Sequence, residues 1–201
     1  NFSNNYGVEG PTRKHYINKL RKLKWRNSMA MLFLAQGVPL VWSGDEIGNS
    51  QQGNNNAYCQ DNPVGWVNWK NEKTHRREIR FLEQLAQFRR EHPIVANEMP
   101  FQFSDYRSYG SPDLSFHGES AWILEPSEGR MALGMMYNGA YSTDERYTED
   151  VYVAYNFYSA ASTLALPKLE KDKHWYLVLD TSDDKMPFLE KPVLQERGDI
   201  V

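Results

Sequence analysis

Apolar residues recur at helical spacing in two stretches of the chain and alternate in several later ones. Tyr16, Leu20, Leu23, Asn27, Ala30 and Leu34 follow a helical period, while Lys14, Lys19, Arg21, Lys22 and Lys24 occupy the other side. Pro11-Thr12 opens this helix, since proline near the first turn gives up an N–H that has no partner there anyway. From Met29 to Ala35 the pattern becomes apolar nearly all round, which predicts a buried second half, and Gly37 suits the left-handed residue that closes a helix. Val38 to Trp42 follows, too short and too continuously apolar for a half-exposed strand; it reads as a strand buried on both faces, as in a parallel sheet, with Pro39 tolerated near its start. A second helix runs from Thr74, a plausible N-cap, to Glu91. Ile79, Phe81, Leu82, Leu85, Ala86 and Phe88 form its apolar face, and His92-Pro93 ends it.

Beyond Val95 the period changes to two. Phe101-Gln102-Phe103, Met131 to Tyr137, Val151 to Phe157, Leu164-Ala165-Leu166 and Trp175 to Leu179 read as strands; Val151, Val153, Tyr155 and Phe157 share one face. Asn138-Gly139 is a hairpin-turn signal, and the acidic, polar run 142–150 reads as a mobile hairpin tip. The expected organisation is therefore α/β plus all-β. Residues 1–95 form a helix–strand–loop–helix piece of a parallel α/β fold, and residues 96–201 an antiparallel β-sandwich. One parallel strand with two helices leaves its own backbone groups unpaired, so the first half needs completion from upstream or from a partner chain.

Composition narrows the function classes. With 23 Lys and Arg against 26 Asp and Glu, the net charge of -3 offers no basic footprint for nucleic acid. No apolar run approaches the roughly 20 residues that span a bilayer. The single cysteine, Cys59, excludes an internal disulfide, favours a reducing compartment and reads as a small buried apolar residue. The five histidines (15, 75, 92, 117 and 174) show no metal-ligand spacing, so neither a metal nor a cofactor is expected. His117 reads as a turn or inter-strand hydrogen bonder. The first residue is Asn, which marks a fragment or a processed product. Aromatic residues make up 13% of the chain; at that density they are core or platforms for sugar rings, with core the default for any one of them.

Parallel α/β folds place working residues where strands end, so the polar loop at 43–62 is the first place to look for a site. Asp45 and Glu46 are adjacent on an extended segment and point to opposite sides, which does not suit an acid–base pair flanking one scissile bond; one of them orienting the following loop is the better reading. Asn54, Asn55, Asn56, Tyr58, Gln60 and Asp61 form a stronger cluster, because amides carry donors and acceptors that match sugar hydroxyls and tyrosine adds a ring face. From side-chain chemistry alone, a self-bonded asparagine-rich loop is an equal alternative. Trp66 and Trp69 read as packing residues more than as sugar platforms.

Several of these stretches together carry a resemblance. NNYGVEGPT at 4–12, QGVPLVWSGDEIG at 36–48, QQGNNNAYCQDNPVGWVNW at 51–69 and FRREHPIV at 88–95 resemble the last part of glycogen-debranching and isoamylase-type enzymes of the α-amylase (glycoside hydrolase 13) superfamily. SPDLSFHGESAW at 111–122 and EDVYVAYNFY at 149–158 resemble the β-domain that follows the barrel there; Tyr158-Ser159 departs from a common His-Trp. The resemblance implies that residues 1–95 are the final helix–strand–helix portion of a (β/α)8 barrel and that residues 96–201 are its β-sandwich C-terminal domain. It implies a retaining hydrolase of α-1,6 branch linkages in glycogen, amylopectin or pullulan, with the substrate cleft bordered by the Asn54–Asp61 loop. The family's three reacting carboxylates belong to strands that precede Asn1, so no catalytic residue lies in this chain and the chain alone is expected to be inactive. The alternative is a non-catalytic glucan-binding or structural β-domain, and a third reading is a folding role that shields the barrel's last helices. Expected partners are a branched α-glucan and, through an exposed apolar flank at 12–42, a second copy of the fragment, with no nucleic acid and no membrane. The expected compartment is cytoplasmic, with a secreted parent left open.

Overall fold

In the computed structural model, residues 4–124, 131–146 and 148–195 are described. Helix α1 spans His15–Leu34 and α2 spans Arg76–Glu91. The strands are β1 (Leu114–His117), β2 (Ala132–Tyr137), β3 (Val151–Asn156), β4 (Trp175–Leu179) and β5 (Phe188–Gln195). No helix among the described residues is long and apolar enough to cross a membrane. The chain divides into two compact units. The first takes the chain up to Phe33, Pro39–Gln87 and Leu179–Phe188; the second takes Leu34–Val38, Phe88–Val178 and the chain from Leu189.

In the first unit α1 begins three residues after Thr12, whose hydroxyl accepts the N–H of Lys14 (3.2 Å) while its carbonyl accepts Asn18 Nδ2 (2.8 Å). The buried stripe is Ile17, Arg26, Met29, Ala30 and Phe33, whereas Tyr16 is exposed. Of the expected face Ala30 and Leu34 are buried, while Leu20, Leu23 and Asn27 are half-buried and Tyr16 is exposed. Met31 and Ala35 are also exposed, so the second half is buried on one side and not all round. Trp25 and Phe188 both pack on Phe81 of α2, with centroids 5.9 and 5.8 Å apart. Buried Arg26 donates through Nε to the Thr181 carbonyl (2.9 Å), which removes the cost of an unpaired charge donor in the interior. Thr74 does not cap α2. Its hydroxyl donates to the Asn71 carbonyl (2.9 Å), which closes a short 3-10 turn over Trp69–Lys73, and α2 starts two residues later.

The largest departure is Val38–Trp42. It belongs to no strand or helix, and Val38, Leu40 and Trp42 are 95%, 85% and 68% exposed. The expectation of a strand buried on both faces fails for a physical reason: among the described residues no neighbouring strand pairs with it, and a ladder needs two chains. Cys59 is also exposed, not buried, because it sits in the irregular loop between buried Ala57 and Asp61.

The second unit is built on the antiparallel sheet β1–β2–β3. Its register pairs Leu114 with Tyr137 and His117 with Gly134, and pairs Tyr137 with Val151 and Ala132 with Asn156. Leu114, Met136, Tyr137, Val151 and Val153 are buried, together with Ile94, Val95, Phe101 and Leu164. Gly134 sits in close approach: a Cβ there would stand 1.9 Å from the Tyr152 hydroxyl, which itself donates to the Ala165 carbonyl. Where α1 ends, Gly37 takes a φ of 98° as expected, and Arg89 donates to the carbonyls of Ala35 (2.7 Å) and Gly37.

Two expected strands are irregular. At Phe101–Phe103 the N–H groups of Gln102 and Phe103 go to the Asp113 carboxylate, and Phe103 has a φ of 57°, so no ladder forms. Leu164–Leu166 makes single contacts instead, with Ala165 N–H donating to the Gly118 carbonyl (2.9 Å) and its carbonyl accepting the Tyr152 hydroxyl (3.0 Å). Asn138-Gly139 is not a two-residue hairpin. Asn138 caps a 3-10 turn at Gly139–Tyr141, accepting the Ala140 N–H (3.0 Å). Both ends of the 142–150 run are anchored: Ser142 is buried, and Asp150 accepts the Gly139 N–H at 2.9 Å; residue 147 lies outside the described residues. The described strands thus form one three-stranded antiparallel sheet and a separate β4–β5 pair.

Candidate functional site

A cavity of about 950 Å³ opens in the first unit. Its walls come from three stretches: 4–11 before α1, 48–53 after the exposed apolar run, and 63–71 before α2. Asn4, Asn5, Asn49, Gln52, Asn68 and Asn71 bring amides to it, Trp66 brings a ring, and Arg21, Lys70 and Glu9 bring charge. The first wall is held by α1. The Arg21 guanidinium donates to the carbonyls of Gly10 (2.8 Å), Asn5 (2.8 Å) and Val8, and Asn5 Nδ2 donates to Glu9 (2.7 Å). One arginine thus satisfies three carbonyls of a segment with no regular structure. Gly53, with φ 80°, lets the second wall approach the first: a Cβ there would lie 2.9 Å from Glu9 Oε1.

The six residues singled out in the sequence stand beside this cavity, and none of them lines it. Asn54 accepts the Asn56 N–H on its side chain (2.9 Å), a local turn that leaves Asn55 and Asn56 exposed. Tyr58 projects into solvent and Gln60 bonds back to the Ala57 carbonyl (2.9 Å). Asp61 has the clearest link to the cavity: its carboxylate accepts the Trp66 indole N–H at 2.8 Å and so fixes a lining ring. The lining amides at 49–52 fall inside the polar loop at 43–62 that the sequence marks, whereas those at 4–5 and 68–71 lie outside it. The signal available was that two separate amide-rich runs, NNYG and GNSQQG, flank one helix and one apolar run.

Asp45 and Glu46 lie in a 3-10 turn at Asp45–Ile47, outside the cavity lining. Glu46 accepts the Gly44 N–H (3.0 Å) and orients the loop start, as the sequence reading favoured. The Asp45 carboxyl is held above its ordinary value, first by partial burial and then by the neighbouring Glu46 charge, against the pull of the Trp42 backbone. Among the described residues no group of three or more His, Cys, Asp and Glu side chains is placed to hold a metal ion. Glu9 is the one carboxylate among the described lining residues. Retaining glycoside hydrolysis needs two carboxyl groups about 5 Å apart across the scissile bond. The described lining residues thus offer amides, one carboxylate and two cations, donors and acceptors of the kind that meet hydroxyl groups.

His117, in the second unit, is a structural hydrogen bonder. Fully buried, it accepts the Trp122 N–H at Nδ1 (2.8 Å), which leaves the proton on Nε2 for donation to Ser115 Oγ (2.9 Å). Burial pulls its pKa down to about 4, so the ring is neutral near pH 7.

No protein-family model matches the chain. Residues of this chain are 44% identical over 105 positions to a glycogen debranching enzyme of Pectobacterium carotovorum, covering 52% of the chain and 16% of that protein. They are 32% identical over 199 positions to the chloroplastic isoamylase 1 of Arabidopsis thaliana, covering 98% of the chain and 23% of that protein. The chain is homologous to part of the glycogen debranching enzymes and isoamylases. It spans less than a quarter of the length of these two relatives. In fold it is similar to a part of the pullulanase from Bacillus acidopullulyticus, with a TM-score of 0.64 at 19% identity over 95% of the chain and 20% of that protein. The match to isoamylase 1 covers 98% of the chain and so runs through both units.

Proposed function

We propose that this chain is the closing part of a barrel-type glycoside hydrolase that cleaves α-1,6 branch linkages of glycogen- or starch-type glucans with retention. In this reading residues 1–95 supply the last helix–strand–helix of the barrel and residues 96–201 a β-sandwich. The observation that carries it is Val38–Trp42: an apolar run in no strand, with Val38, Leu40 and Trp42 exposed, set between a helix and an amide-rich loop. Three large apolar side chains in water represent several kcal/mol of burial, on the order of 2 kcal/mol each, that neighbouring barrel strands would recover. The same strands would pair its free backbone groups. The chain's own part in the reaction is binding: the amides of the cavity and the loop residues Asn54, Asn55, Asn56, Tyr58, Gln60 and Asp61 border the glucan cleft, while the reacting carboxylates come from elsewhere in the protein.

A chimera tests this. The segment of Arabidopsis isoamylase 1 that matches the chain is replaced by residues 1–201, and reducing-end release from amylopectin is measured. Debranching by the chimera, none by the isolated chain, and a rise in KM of at least tenfold on changing Asn54, Asn55 and Asn56 to Ala are expected. A soluble, monodisperse chimera without activity, or activity in the isolated chain, overturns the reading.

A further inference from the structure

Residues 101–113, all in the second unit, form no helix or strand, yet two carboxylates fix their backbone. Buried Asp113 accepts the N–H groups of Gln102 (2.7 Å), Phe103 (2.9 Å) and Leu114 (2.8 Å). Asp105 accepts those of Tyr109 (2.7 Å) and Gly110 (2.9 Å), and also the Tyr141 hydroxyl (2.5 Å). Two non-glycine residues, Phe103 and Ser108, are held at left-handed φ values of 57° and 58°. Such conformations persist only where the surroundings impose them, and they cluster at ligand clamps.

What this framework presents is a set of rings. Phe103, Tyr106 and Tyr109 remain 57%, 44% and 44% exposed. Tyr106 and Tyr109 each lean on buried Tyr141, with centroids 4.8 and 5.0 Å away, and the Arg107 guanidinium carbon lies 5.7 Å from the Tyr106 ring centroid. Phe103 stacks on Phe116 at 5.9 Å. These rings are held partly in water, with the Arg107 guanidinium lying over Tyr106 and Tyr141. A rigid aromatic loses little conformational freedom on binding. The chemistry complements a pyranose, whose C–H face packs on a ring while its hydroxyls meet donors and acceptors alongside. A protein partner fits less well: three half-exposed rings offer on the order of 300 Å², against the roughly 800 Å² per side of a stable protein interface.

We propose that Phe103, Tyr106 and Tyr109 form a surface platform that binds a linear stretch of α-glucan. The choice of glucan rests on the function proposed above; the platform itself rests on the rings and the carboxylates that hold them. The test is affinity electrophoresis of the 201-residue chain in gels containing glycogen, with maltoheptaose titrated by calorimetry. Changing Tyr106 and Tyr109 together to Ala is expected to weaken binding at least tenfold, and the double change to Phe to keep most of it. Phe103→Asn provides a second variant that respects the left-handed φ, since Asn tolerates it, and is expected to weaken binding at least threefold at an unchanged thermal midpoint. Wild-type binding by the Phe103→Asn variant overturns the platform. So does retardation that is lost with Trp66→Ala but kept in the tyrosine variants, or no retardation of the chain at all. None of these outcomes touches debranching by the chimera, and an inactive chimera leaves the electrophoresis result standing, so the two readings fail separately.

Discussion

Val38–Trp42 and Val151–Asn156 look alike in sequence, and the fold treats them in opposite ways. Each is a short apolar or aromatic run with β-branched residues and a turn signal nearby. Val151–Asn156 lies against Ala132–Tyr137 in full register, and Val151 and Val153 are buried. Val38–Trp42 joins no strand and leaves Val38, Leu40 and Trp42 in water. The difference is supplied from outside the run itself. A strand is stabilised by cross-strand pairs and by a face to pack on, and intrinsic preference is a small part of it. Where the partner strand lies within reach, as β2 does for β3, the pattern is realised; where it does not, the same pattern is left unsatisfied.

The comparison is broken most severely by damage to the paired side. Gly134→Val places branched carbons where the Tyr152 hydroxyl already stands, on the strand that pairs with both β1 and β3. Overpacking of this kind costs up to about 3 kcal/mol. Urea denaturation of the second unit's sheet, followed by tyrosine fluorescence, is expected to shift by that amount. A shift under about 1 kcal/mol would mean that the Tyr152 ring swings aside freely.

A smaller effect tests how firmly β1 is tied to the same sheet. His117 has a folded pKa of about 4 against an ordinary 6.5, the result of burial. Between those values the unfolded chain binds a proton that the folded chain refuses. Stability is therefore full above about pH 6.5, falls as the pH drops toward 4, and levels off below it. The loss is at most about 3 kcal/mol. The difference in unfolding free energy between wild type and His117→Gln isolates it from the carboxylates, which titrate in both proteins. A flat difference between pH 4 and 6.5 would show that the ring charges in place.

Much of this was readable along the chain. Helices α1 and α2, strands β2, β3 and β4 and the closing Gly37 follow from local period and turn chemistry, because each makes its main contacts at the spacing the pattern displays. Phe101–Phe103 was not legible, because the competitor for its N–H groups is the side chain of Asp113, ten residues on. β5, with Glu190, Lys191 and Pro192 in its middle, lacks the alternation that marks a strand. At the candidate site the densest amide run, Asn54–Asn56, was conspicuous, yet the cavity is walled by sparser amides on three separate loops. Those loops meet because Arg21 on α1 gathers the first of them, a long-range contact that no local window contains.

The gentlest change makes the sharpest distinction. Val38→Asp together with Leu40→Asp places two charges on side chains that are already in water, so in the 201-residue chain the unfolding free energy should move by no more than about 0.5 kcal/mol. In the isoamylase chimera the same pair would sit between barrel strands, where an unpaired buried carboxylate costs several kcal/mol each, and soluble active enzyme should disappear. The informative quantity is the ratio of the two effects. Equal, small effects in both settings would mean that Val38–Trp42 stays exposed in the larger protein, and its apolar pattern would then need another explanation. A large effect in the isolated chain would mean that the run is already paired there, which the exposure of Val38 and Leu40 argues against. Only a neutral change in the chain and a disabling one in the chimera fit a strand that acquires its neighbours from the rest of the barrel.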